Sequence, residues 1–190
     1  TAFVHVDVDD LWAIGNCYGL TIPDDLAAFI YEDALPRFRS LFAECGVRAT
    51  FFVCGADAGD AAKAALLRDL RADGHRFGNH SHTHPLNFRD LDEERIEAEV
   101  GLAERAIGDA TGETPLGFRS PGYGFSAALL RVLERRGYAY DSSLMPGPYG
   151  AVFRFLDRRL QRAALANADT ARAGPDDAGG GSGTAPADPP

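Results

Sequence analysis

The chain has 190 residues, 45% of them hydrophobic and 25% charged, which is enough for one domain with a sizeable core. Its net charge of -9 argues against a nucleic-acid partner, because phosphate binding needs clustered Lys and Arg. No run approaches the roughly 18 apolar residues of a membrane span, no leader segment is legible, and Cys17, Cys45 and Cys54 fall on different elements and read as reduced, so the expected location is cytoplasmic.

At the start of the chain Val4, Val6 and Val8 alternate with His5, Asp7 and Asp9. That period of two predicts a strand with Asp7 and Asp9 on one face, while Asp10 turns the other way or enters the next loop. Two carboxylates at a strand end repel each other, which a bound cation relieves; a solvated Asp-rich turn is the competing reading. Residues 11–25 read as a long aromatic loop whose Trp12 either walls a site or packs in the core. A helix is expected from about Glu32, with Pro36 in its first turn, Leu35, Phe38, Leu41, Phe42 and Cys45 on its inner stripe and Gly46 as its stop. Residues 47–53 form a short β-branched and aromatic run, hence a buried strand.

Asp60 is placed to cap a helix that ends at Gly74, and 75–77 is a third short strand. The acidic run Asp90, Asp92, Glu93 and Glu94 reads as a solvated helix start, with Ile96, Val100, Ala103 and Ile107 as the buried stripe behind it. A fourth strand, 116–118, leads into the rigid loop Arg119-Ser120-Pro121-Gly122-Tyr123-Gly124. Ser126 caps the next helix, which carries Leu129, Leu130 and Leu133, and 138–140 begins a fifth strand followed by Asp141-Ser142-Ser143. A last helix is expected over 152–165. From about residue 166 Ala, Gly, Pro, Asp and Ser dominate with no apolar period, so the expected organisation is one domain over 1–165 and a disordered tail over 166–190.

Strands and helices therefore alternate about five times, the pattern of parallel strands with crossover helices in either a barrel or a doubly wound sheet. Asp7 and Asp9, His80 and His84, Arg119 and Asp141 all fall just after strands, where such folds place their sites. The stretch His80-Ser81-His82-Thr83-His84 holds three of the five histidines. On a helical turn His80 and His84 share a face; on an extended segment all three do. With Asp9 they make a two-His-one-carboxylate set that leaves metal positions open, as catalytic sites require. Zn2+ is the default, although Co2+, Ni2+ and Fe2+ suit the same donors. Asp7 is placed to take a proton from a metal-activated water, and Arg119 to pair with Asp7, unless it is a surface ion pair. Tyr123 is an aromatic wall or lends its backbone N–H to an oxyanion. Asp141 reads best as the cap of a turn through Ser142 and Ser143.

These stretches together resemble the polysaccharide deacetylases of carbohydrate esterase family 4, the NodB-homology domains. The matching pieces are Val6-Asp7-Val8-Asp9-Asp10, Ala49-Thr50-Phe51-Phe52-Val53, Gly74-His75, Asn79 through Pro85, Gly117 through Tyr123, and Gly137 through Ser143, so the resemblance covers roughly residues 1–150. The Asp-x-Asp opening and Asp-Ser-Ser-Leu-Met look most like the branch with allantoinase-like and peptidoglycan-deacetylase-like proteins. The resemblance implies a distorted (β/α) barrel, with a metal at the strand C-termini and hydrolysis of an N-acetyl group from an amino sugar or of a related non-peptide C–N amide. It implies Asp7 as base, Asp9, His80 and His84 as ligands, and Arg119 tuning the base; by other branches, Asp9 is base and Asp10 ligand. The family's late general-acid histidine has no counterpart, since no histidine follows His84. That departure predicts a barrel truncated after about residue 155. It leaves a catalytically inactive remnant that binds metal, a sugar or a partner as the alternative to an enzyme, with an allantoinase- or imidase-like amidohydrolase beside it.

Overall fold

The computed structural model describes residues 2–144, and the last helix and tail expected over 152–190 lie outside the described residues. Five strands form one parallel sheet: β1 (Val4–Val8), β2 (Ala49–Val53), β3 (Arg76–Asn79), β4 (Gly117–Phe118) and β5 (Tyr140–Asp141). Their order across the sheet is their order in the chain. A doubly wound sheet reverses its strand order at a switch point, and among the described residues there is no reversal. Curvature decides between the two architectures. Strands lie about 4.8 Å apart, so the first and fifth of a flat sheet would be roughly 19 Å apart. Here the rings of His5 on β1 and Tyr140 on β5 stack with centroids 6.3 Å apart. The sheet curls as a barrel wall does.

The helices cover the convex face. They are α1 (Leu11–Tyr18), α2 (Leu35–Cys45), α3 (Gly55–Ala58), α4 (Ala61–Ala72), α5 (Glu93–Thr111) and α6 (Ala127–Arg135). Val8, Phe51, Val53 and Phe77 point outward against Tyr31, Leu35, Phe42, Leu67, Leu70, Ala103 and Ile107, one apolar cluster between sheet and helices. Phe88, Ile96, Val100, Phe118, Leu129, Val132 and Leu133 form a second under α5 and α6. The concave face is the one that carries His5, Asp7, Phe52 and Arg119.

Residues 11–25 depart from the expected loop, because α1 forms there. The Asp10 side chain accepts from Leu11 N–H at its start, and Gly19 closes it in the left-handed region at φ 63°. A π-helical turn, Ile30–Ala34, precedes α2. On α2 only Leu35 and Phe42 of the expected stripe are buried; Phe38, Leu41 and Cys45 are exposed. The helices capped by Asp60, Asp92 and Ser126 begin as the sequence implies, each with its cap bond made.

Candidate metal centre

β1 releases the chain at Val8 and β3 releases it at Asn79, both at the same end of the sheet. Past those ends, Asp9 meets His80 and His84. Asp9 Oδ1 lies 3.3 Å from His80 Nε2 and 3.5 Å from His84 Nε2. One donor atom from each of the three residues falls within 4.8 Å of the others. The segment between the histidines is neither helix nor strand. Ser81 and His84 both sit at positive φ, 65° and 55°, and this tight path brings the His84 ring back to 5.0 Å from the His80 ring. His82 leaves in another direction: its Nδ1 is buried with no hydrogen-bond partner, and a Cβ on Gly55 would come within 2.6 Å of it.

The donor set fits a divalent metal ion. The His80 Nδ1–H is donated to the Arg119 carbonyl at 2.6 Å, which leaves Nε2 of the neutral ring as a lone pair. Asp9 Oδ1 is buried and has no hydrogen-bond partner. Lone pairs that face one another at 3.3–3.5 Å repel unless a cation lies among them. Tetrahedral ligands at about 2.0–2.1 Å from zinc stand about 3.3–3.4 Å from one another. Burial opposes the charge on Asp9, but its attraction to His80 and His84 outweighs burial and holds the carboxyl below its ordinary range. Burial likewise opposes a proton on His80, and Asp9 more than offsets it, so its value is raised. On His84 burial prevails and the value is lowered.

Asp7, on the concave face, accepts from Arg119 Nη1 at 2.6 Å. Arg119 is held on every side: Nε donates to the Ser142 carbonyl, Nη2 to Ser142 Oγ at 2.8 Å and to His5 Nδ1 at 3.1 Å, and the guanidinium lies 4.4 Å from the Phe52 ring centroid. Gly78 makes room for that ring, since a Cβ there would come within 2.5 Å of it. Asp141 accepts from Ser143 N–H and Oγ–H, and Ser143 Oγ accepts from Ser120 N–H, which ties the Arg119 loop to the turn after β5.

Asp10 faces away from the histidines. It is fully buried and pairs with Lys63 at 2.6 Å while capping α1. Lys63 also pairs with the buried Asp57, which accepts the Trp12 indole N–H at 2.7 Å. Trp12 is therefore half-buried with its polar edge committed. The Tyr123 N–H donates to the Ser120 carbonyl within a 3-10 turn. Burial first, then the Asp7 charge, raises the Tyr123 phenol. Sequence reasoning passed over Glu99, His5 and the Lys63 cluster. His5 shares the alternation of Asp7 and Asp9, a signal that could have found it; Glu99 carries none, because its partners lie 16 and 17 positions away, and Lys63 little, because its partner Asp10 lies 53 positions away.

A sequence profile of the polysaccharide deacetylase family matches residues 15–140. The chain belongs to the polysaccharide deacetylase family. Among its relatives are a peptidoglycan deacetylase of Helicobacter pylori, 30% identical over 146 residues, and a chitooligosaccharide deacetylase of Azorhizobium caulinodans, 29% identical over 108 residues. These alignments take in 74% and 56% of the chain, and the chain spans about half the length of these relatives, 48% and 50%. The solved structure of a candidate polysaccharide deacetylase from Mycobacterium smegmatis superposes with a TM-score of 0.64 at 24% identity, over 75% of this chain and 50% of that one. The curled parallel sheet is thus the distorted (β/α) barrel of this family over the described residues. No helix among them is long and apolar enough to cross a membrane.

Proposed function

We propose that this chain carries the metal-dependent hydrolytic centre of a deacetylase that removes N-acetyl groups from an amino-sugar polymer. The observation that carries this reading is the buried, unpartnered Asp9 Oδ1 lying 3.3 and 3.5 Å from two histidine Nε2 atoms. Asp9, His80 and His84 would hold the metal, with Zn2+ the first choice. When bound, the ion would supply a Lewis acid and a water of lowered pKa. Asp7 takes the proton from the attacking water. Arg119 holds Asp7 oriented, and its four other contacts keep Arg119 from following substrate or solvent. The proton that Asp7 accepts is then available for the leaving amine. The faces of Tyr123 and Trp12 would offer apolar contact to a sugar ring. The relatives' substrates, peptidoglycan and chitooligosaccharides, define the class to assay.

The alternative is a metal-binding remnant without turnover. Acetate release from N-acetylglucosamine oligomers and from peptidoglycan separates the two. Turnover abolished by a chelator, restored by zinc, and lowered about 10²–10⁴-fold by Asp7→Asn with metal content unchanged supports the enzyme. Zinc bound at one ion per chain with no acetate released from either substrate supports the remnant.

A further inference from the structure

The turn that carries His80 and His84 is gripped from two sides. Its carbonyls are taken by the start of α3: Gly55 N–H donates to the Ser81 carbonyl at 2.9 Å and Ala56 N–H to that of His82 at 3.1 Å. Two of its N–H groups are taken by a single side chain from α5. His82 N–H and Thr83 N–H both donate to Glu99 Oε2 at 2.8 Å, and Thr83 Oγ–H donates to Glu99 Oε1 at 2.7 Å. Glu99 stands on the helix face whose neighbours Ile96, Val100 and Ala103 are fully buried, so its backbone is fixed by the core. The conformation it holds is costly. Ser81 and His84 occupy positive φ without being glycine, a state that persists only when surrounding bonds over-determine it. Three charge-assisted bonds to one carboxylate are such bonds.

We propose that Glu99 is a positioning residue of the metal centre. It holds the 81–84 turn in its strained path and so keeps His84 Nε2 on the Asp9–His80 pair. The inference rests on the reading of Asp9, His80 and His84 as metal donors. Glu99 touches no donor residue's ring; His84 N–H bonds to Ser81 Oγ instead. Its action passes through the peptide of His82 and Thr83.

The test is Co2+ titration of the 190-residue chain, read from the visible absorption of the bound ion, with thermal unfolding of the metal-free protein alongside. Glu99→Ala is expected to weaken Co2+ binding about 10–100-fold, as loss of a ligand's outer partner does, and to change the band shape. Glu99→Gln is expected to restore most of the affinity. Its amide oxygen can accept both N–H groups, and its NH2 can donate to the Thr83 hydroxyl. Glu99→Asp, one methylene shorter, is expected to behave like the alanine variant, and the Gln–Asp comparison decides the matter if Glu99→Ala does not fold. The proposal is overturned if the Ala or Asp variant loses thermal stability yet binds Co2+ with wild-type affinity and spectrum, or if Glu99→Gln binds as poorly as Glu99→Asp. A folded wild-type chain that binds no Co2+ at all overturns the metal reading itself, and this inference with it.

Discussion

At the scale of single residues, a proton and a metal ion compete for the same lone pair of His80. Asp9 raises the pKa of His80 above its ordinary 6.5 despite burial, while Asp9 itself, held low, is ionised throughout the neutral range. Metal binding needs the neutral ring. Affinity is therefore expected to climb as pH rises through 6.5 and to level off only above the raised value. Calorimetric titration with Zn2+ at pH 6 and pH 8 should show tighter binding at pH 8 and proton release at pH 6. Equal affinity at both, with no proton exchanged, would remove His80 Nε2 from the donor set. Much of this geometry was legible locally. The two-residue period of β1 sends Asp7 and Asp9 to one face, whereas His80 and His84 meet through a turn that is neither helix nor strand, with Ser81 and His84 at positive φ, so their spacing of four marked the pair but not the path. The route of His82 was not legible, because it depends on Gly55 and Glu99, which lie 27 positions before and 17 after it in the chain.

At the scale of elements, the four-residue α3 does more than its length suggests. It packs on α5 at Gly55, where a Cβ would come within 2.5 Å of Ala103 Cα and 2.6 Å of His82 Nδ1. Gly55→Ala is expected to cost about 1–3 kcal/mol, the usual price of overpacking, and to weaken metal binding at the same time, because the Gly55 N–H anchors Ser81. Urea denaturation and zinc titration of the same sample check both. Gly59→Ala is the control: its Cβ would meet nothing nearer than 3.5 Å, and its φ of -75° suits alanine. A destabilised Gly55→Ala protein that bound zinc normally would uncouple α3 from the site. Helices announced by a cap and an apolar period, α4, α5 and α6, were readable in advance. The helix α1 was not, since Trp12, Tyr18 and the glycines resemble a loop until Asp10 is seen to cap it.

At the scale of the whole molecule, stability is expected to depend on pH through His75. Its ring lies between Phe42 and Phe51, with centroids 5.9 and 5.2 Å away, and its Nδ1 accepts the Ala49 N–H at 3.1 Å. Burial lowers its pKa, the Arg39 and Arg48 charges add to that, and Asp73 opposes them. The unfolded chain thus binds the His75 proton more readily than the folded one. As pH falls below about 6.5, this residue's contribution falls, and it levels off once the folded ring also protonates. The urea midpoint should drop between pH 7.5 and pH 5.5, and His75→Gln should make that drop smaller. A drop unchanged by His75→Gln would mean that the linkage lies in other groups. His5 and His84 act in the same direction and His80 in the opposite one, so the difference between the two proteins is the quantity to read.

The sequence by itself determined what short-range periodicity and capping can encode: five strands alternating with helices, parallel pairing, and the chemistry-bearing residues at the strand C-termini. Strand period, helix period and cap chemistry act over a few residues, so they survive reading in one dimension. Only the tertiary structure decided between a barrel and a doubly wound sheet, because curvature is the sum of twist over five strands and appears only when β1 faces β5. It chose between the two readings of Arg119 by setting it on Asp7 across 112 positions, and it alone turned Asp10 to Lys63 and placed Glu99 on the histidine turn. Each of these contacts depends on where two distant elements pack, which is settled by the burial of the apolar clusters between sheet and helices rather than by any local pattern around the residues themselves.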